Sequence, residues 1–272
     1  MPLRRTRNLR CNGLVPTPRG EAPYGVATYR ASDVPTECSE LSGFVRRGGD
    51  QSITETCVAW AYMGAIWTLL GILGLPRVWG SVLALYYLTL ARTHEGDKSK
   101  IVDLGCRMPD AAAVLREAGF AIDADWPFRV SKVCQEPPWK ALAQGLRNDW
   151  LRPRRVIAYG GELEAIIKAT LSAPGRAARP VIRGIRVDQP YLDWMPGDAP
   201  WKLNEDDVKG RHAELCATYG VDWLGKVSSW CDPFDRHESW RNVREDHDSE
   251  TWIVDCDVEA LVHNLKVMGV LR

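Results

Sequence analysis

Asp50-Gln51-Ser52-Ile53-Thr54-Glu55-Thr56-Cys57-Val58-Ala59-Trp60-Ala61 leads from a turn, Gly48-Gly49-Asp50-Gln51, into a helical pattern that starts at a cysteine. Beyond Cys57, the residues Val58, Ala61, Ala65, Leu69 and Ile72 recur at steps of three and four, and Gly74 with Pro76 supplies a stop. The stretch Val58 to Leu75 is the most apolar in the chain and reads as a buried helix. A thiol at a helix start lies where unpaired amides and the helix dipole favour the thiolate. A cysteine in an apolar helix is otherwise an ordinary core residue, so the surrounding sequence decides how Cys57 is read.

That surrounding sequence resembles the active-site segment of papain-like cysteine peptidases, in which a Gln stands six residues before the nucleophile, as Gln51 stands before Cys57. The wording Cys57-Val58-Ala59 is similar to that of bacterial members of the family. A second stretch, Gly210-Arg211-His212-Ala213-Glu214-Leu215-Cys216-Ala217-Thr218-Tyr219-Gly220, resembles the family strand that begins His-Ala and ends in a Tyr-Gly turn. A third, Val227-Ser228-Ser229-Trp230, occupies the place of the family's Asn-Ser-Trp, with Ser228 sixteen residues after His212. The resemblance implies Cys57 as nucleophile, His212 as base, Gln51 as oxyanion donor beside the backbone N–H of Cys57, and Ser228 in the position that orients the imidazole. Trp230 falls where the family shields that contact. His94, His237, His247 and His263 have no such support.

Between these anchors the likeness continues through Gly105-Cys106-Arg107-Met108-Pro109-Asp110-Ala111, Leu115 to Phe120 and Trp126-Pro127-Phe128, and then through Leu163 to Leu171 and Pro180 to Val187. It covers about Asp33 to Trp230, and the acidic stretch from Cys231 to Glu250 matches no part of the pattern. The family's substrate-binding glycines are replaced by Arg107, Met108 and Pro109, and a proline has no N–H to donate. Thr54 stands where secreted members carry a cysteine that pairs with the one matching Cys106, so the resemblance implies that their disulfide is missing here, in keeping with a reduced compartment.

Away from the motifs, 35 basic residues balance 35 acidic ones in 272, which leaves no global field to draw nucleic acid or an anionic membrane. A hydrophobic content of 45% can fill a sizeable core. Residues 1–32 read as an extended arm in which Arg4, Arg5, Arg7 and Arg10 form a solvated tail, too short for an inhibitory propeptide of the family's usual kind. No apolar run follows them as a secretory signal requires, so a cytoplasmic or particle-assembled protein is expected. No window is long and apolar enough for a membrane span. Eight scattered cysteines without a CxxC pair indicate neither a disulfide scaffold nor a zinc site, and no cofactor is expected.

Further helices are expected at Ser81 to Arg92, after Pro109-Asp110 with Gly119 as cap, at Trp139 to Asp149, at Gly161 to Ser172 and at Val258 to Val267. Strands are expected at Pro180 to Val187, Ala213 to Trp223, Lys226 to Trp230 and Trp252 to Asp255. The expected class is α+β. The resemblance makes it a papain-like two-lobed domain over 33–272, with a helical lobe at about 33–150, an antiparallel sheet or barrel lobe at about 151–272, and the active-site cleft between. The expected function is hydrolysis of peptide or isopeptide bonds in a peptide or protein substrate. The alternatives are a weak or inactive papain-fold structural subunit, with assembly partners in a particle such as a phage, and an amidase or acyltransferase.

Overall fold

The computed structural model describes residues 14–15, 34–143, 150–173, 177–267 and 270–271. The chain first builds helices α1 (Cys57–Ile72), α2 (Val82–Thr93), α3 (Met108–Glu117) and α4 (Trp139–Ala143). It then builds β1 (Leu151–Arg155), α5 (Gly160–Leu171), β2 (Val181–Asp188), α6 (Gln189–Asp193), β3 (Val208–Tyr219), β4 (Trp223–Val227), β5 (Arg236–Ser239), α7 (Trp240–Glu245), β6 (Glu250–Cys256) and α8 (Val258–Val267). The strands form one antiparallel sheet in the order β1-β6-β2-β3-β4-β5. The class is therefore α+β, as the sequence implies.

Both faces of the sheet are covered, so the central strands β2, β4 and β6 and most of β3 are buried. Period-two alternation sends Ile182, Leu215 and Trp252 into the cluster built on α1, while the adjacent Val181, Cys216 and Ile253 enter a second cluster with Leu163, Ile167 and Leu171 of α5. Helix α1 is apolar on all sides and is buried on nearly all sides. Its two hydroxyls are both satisfied: Thr68 donates to the Gly64 carbonyl at 2.8 Å and Tyr62 to the Met108 carbonyl at 3.2 Å. Gly64 itself permits close approach to β3, because a Cβ there would already meet Leu215 at 3.4 Å.

Several boundaries differ from the sequence reading. The strand expected at Ala213 to Trp223 is two strands, since the chain reverses between Tyr219 and Trp223, where the N–H of Gly220 donates to the Trp223 carbonyl. β4 stops at Val227, and Ser228 to Trp230 leave the ladder to pair with the 50–51 segment. Of the helix expected at Trp139 to Asp149, α4 accounts for Trp139–Ala143, and 144–149 lie outside the described residues. β1, β5 and α7 escape the pattern because each is short. β1 also contains Pro153, tolerated because β1 is an edge strand paired only with β6.

Candidate active site

The site is assembled where the N-terminus of α1 meets β3. Cys57 is the first residue of α1, and its thiol accepts hydrogen bonds from the backbone N–H groups of Val58 and of Ala213, the residue after His212. His212 lies mid-strand in β3, paired with Ile185 of β2, so sheet pairing on one side and α1 on the other hold its backbone. Its Nε2 is 3.2 Å from Ser228 Oγ, while Nδ1 has no hydrogen-bond partner among the described residues. Trp230 stacks on the imidazole with ring centres 3.8 Å apart and planes 17° apart. The structure thus brings together Cys57, His212, Ser228 and Trp230.

Gln51 is positioned by the pairing that draws Ser228 to Trp230 out of the sheet. Its backbone N–H donates to the Ser229 carbonyl at 2.8 Å, and its side-chain carbonyl accepts from Ser229 Oγ at 2.5 Å. Its Nε2 donates to the Thr54 carbonyl at 2.8 Å. Thr54 Oγ1 in turn donates to the Gln51 carbonyl at 2.6 Å, which ties the turn before α1 to itself. The sequence assigned no role to Ser229. Its place in the stretch Val227-Ser228-Ser229-Trp230 is the signal that could have found it.

The ionisation of the pair follows from its burial, since Cys57, His212 and Gln51 are each 0% exposed. Burial pushes the Cys57 thiol well up, the charges of Glu55 and Glu214 add to that, and the two amide hydrogen bonds oppose it. Burial also holds His212 down to about 3, where Arg236 and Lys226 act in the same direction and Glu214 against it. Both shifts favour the uncharged forms, a thiol and a neutral imidazole.

Two features close the site. Leu14, 2% exposed, bridges in parallel to Cys106, and the Val15 N–H donates to the Cys106 carbonyl at 3.0 Å. The Leu14 side chain reaches β2, where it packs at Gly184 together with Met108. Leu14 and Val15 of the amino-terminal arm are therefore seated against the segment at Cys106. Arg4, Arg5, Arg7 and Arg10 lie outside the described residues. The second feature is a buried charged layer beneath the site: Arg183 donates to Glu238 at 3.1 and 3.2 Å, and the Lys226 ammonium lies 3.1 Å from Glu214 and 3.2 Å from Glu238. Tyr191 donates its hydroxyl to Glu214. Among the described residues, no group of three or more His, Cys, Asp or Glu side chains is arranged to hold a metal ion. No described helix is long and apolar enough to cross a membrane.

This arrangement of helices and antiparallel sheet is the papain-like fold, similar to that of solved cysteine proteases. Xylellain, a cysteine protease from Xylella fastidiosa, superposes with a TM-score of 0.71 at 18% identity, covering 89% of this chain and 98% of its own. ProCathepsin B S9 from Trypanosoma congolense gives 0.67 at 10% identity over 91% of this chain and 87% of its own, and procathepsin L2 proteinase from Tenebrio molitor larval midgut gives 0.65 at 16% identity over 90% and 78%. No family model and no curated protein sequence matches the chain.

Proposed function

We propose that the chain is a thiol hydrolase of peptide or isopeptide bonds. The observation that carries this reading is the His212–Ser228 hydrogen bond under Trp230, set beside a thiol at the start of α1. Because Nε2 is engaged by Ser228, Nδ1 is the nitrogen that takes the proton of Cys57 as sulfur attacks the substrate carbonyl. The resulting oxyanion is held by the backbone N–H of Cys57 and the Gln51 amide. Collapse breaks the C–N bond, and the imidazolium returns its proton to the leaving amine. Water, deprotonated by His212, then cleaves the thioester and restores the thiol together with a carboxylic acid.

Ser228 supports this cycle less firmly than an amide would, since a hydroxyl is shorter and swings freely. The pair can still act, because orientation of the base is separable from nucleophile and base themselves. Substrate entry requires Leu14 and Val15 to leave the wall, since they occupy the Cys106 carbonyl and the space at Gly184.

The test is limiting alkylation of the full chain across a pH series, with the modified cysteine located by mass and Cys57→Ala and His212→Ala as controls. Labelling of Cys57 well below the ordinary thiol pKa of about 8.5, lost in His212→Ala, supports the reading. A peptide library analysed for free amine products then separates a peptidase from an amidase or acyltransferase. Burial of the pair favours a second reading, a papain-fold interaction subunit of a larger assembly. It predicts that Cys57 labels no faster than the half-buried Cys134 and Cys256.

A further inference from the structure

The stretch from Cys231 to Glu250, which the sequence left without a role, returns to the site through one arginine. Cys231 takes a left-handed backbone with φ of 63°, and the chain turns so that Asp232 lies beside Arg236, the first residue of β5. Arg236 is 3% exposed. Its Nε donates to Asp232 Oδ2 at 3.0 Å and its Nη1 to the Tyr191 carbonyl. Its Cζ lies 5.3 Å from the ring centre of Trp230 and 5.2 Å from that of Tyr191. Trp230 is the same indole that stacks on His212.

We propose that Arg236, clamped by Asp232, is a positioning residue for His212: it fixes Trp230 against the imidazole and sets a buried positive charge near the ring. A guanidinium suits this place because it stays charged, spreads its hydrogen bonds over two acceptors and lies favourably on aromatic faces. The titratable and charged groups around the imidazole are Cys57 from α1, Glu214 from its own strand, Lys226 from β4, Arg236 from β5 and, through Trp230 and Glu214, Tyr191 from α6. Lys226 is matched by Glu214 and Glu238, so Arg236 with its single carboxylate is the separable part of this field. Burial already holds His212 neutral, and a cation held there adds to that by disfavouring the imidazolium. The catalytic consequence rests on the function proposed above; the positioning does not.

The experiment follows His212 by nuclear magnetic resonance in the full chain labelled with 15N-histidine, its signal assigned by loss in His212→Gln. Arg236→Met is expected to raise the His212 titration midpoint by about one to two pH units. Asp232→Asn and Arg236→Lys, which keep the cation, are expected to leave it at or below the wild-type value. Arg241→Met, on the exposed side of α7, leaves it unmoved. A rise in Asp232→Asn or Arg236→Lys as well, from a loosened Trp230 that hydrates His212, supports the hold on Trp230 and overturns the electrostatic half of the proposal, and an unmoved midpoint in Arg236→Met overturns both. If Arg236→Met does not fold, the other two variants decide. Cys57 alkylation in the same samples keeps the two readings apart. A reactive Cys57 with an unmoved midpoint sinks the role of Arg236 alone, whereas an inert Cys57 with the expected shifts sinks the hydrolase and leaves Arg236 in place.

Discussion

Ser228 stands where the sequence pattern calls for an asparagine, and its hydroxyl still reaches His212 Nε2 at 3.2 Å beneath Trp230. The contact survives because the backbone, not the side chain, makes most of the approach: Ser228 is drawn towards the 50–51 segment by the pairing of Trp230 with Asp50 and of Ser229 with Gln51. Ser228→Asn should therefore restore an amide that holds the ring in one plane, and the rate of Cys57 alkylation near neutral pH is expected to rise several-fold. The larger side chain enters a packed site, so a loss of about 1–2 kcal/mol in urea unfolding should accompany it. An unchanged or lower alkylation rate would mean that position 228 serves a purpose other than orienting the base. Gln51, Cys57, His212 and Ser228 were picked out by three motifs that resemble those of a family, with the spacing between them. Ser229, Asp232 and Arg236 were not, because their partners are set by how strands leave the sheet and not by a local pattern.

At the scale of elements, the amino-terminal arm and β2 meet at one glycine. A Cβ on Gly184 would lie 2.5 Å from Leu14 Cδ2 and 2.9 Å from Met108 Sδ. Gly184 is paired in β2 with Ala213 of β3, so its backbone is fixed and the arm is the part free to yield. Gly184→Ala is expected to expel Leu14 and to speed Cys57 alkylation, with the same effect from Leu14→Asp; if neither variant labels faster than wild type, Leu14 does not control access. Helix α1 was legible in the sequence because a helix buried on all sides leaves an unbroken apolar run with a clear stop. The division between β3 and β4 was marked only by the Tyr219-Gly220 turn of the resemblance, and the strand reading ran past it to Trp223; the reversal is closed by a hydrogen bond from Gly220 to Trp223. β5 carries alternating charges, Arg236 and Glu238, that a sequence reader places at the surface; both are buried because each is paired.

For the whole molecule, the buried neutral histidine couples the site to stability. His212 is held down to about 3 in the folded chain against an ordinary value of 6.5, so below about 6.5 the unfolded chain binds a proton that the folded chain refuses. The stability contributed by a neutral His212 is thus complete above 6.5 and is lost progressively as the pH falls towards 3. Glu214 and Glu238 are held below the usual carboxylate range, so their ion pairs are lost only at more acid pH. Urea midpoints are expected to fall between pH 7 and pH 4.5 in wild type and to fall less in His212→Gln. Equal slopes would show that His212 does not titrate with unfolding.

The α+β class and the central helix were determined by the sequence by itself, since helix period and strand alternation are local properties of the chain, and Cys57, His212 and Trp230 were marked there by motifs that resemble a family's. Tertiary structure alone decided that Leu14 lies on the wall at Cys106, that Ser229 braces Gln51, and that Asp232 and Arg236 come back beneath Trp230. The first two join residues far apart in sequence, the third depends on the turn at Cys231 and the distant Tyr191 carbonyl, and the energies of all three arise from burial and pairing of groups whose neighbours exist only once the sheet has closed over α1.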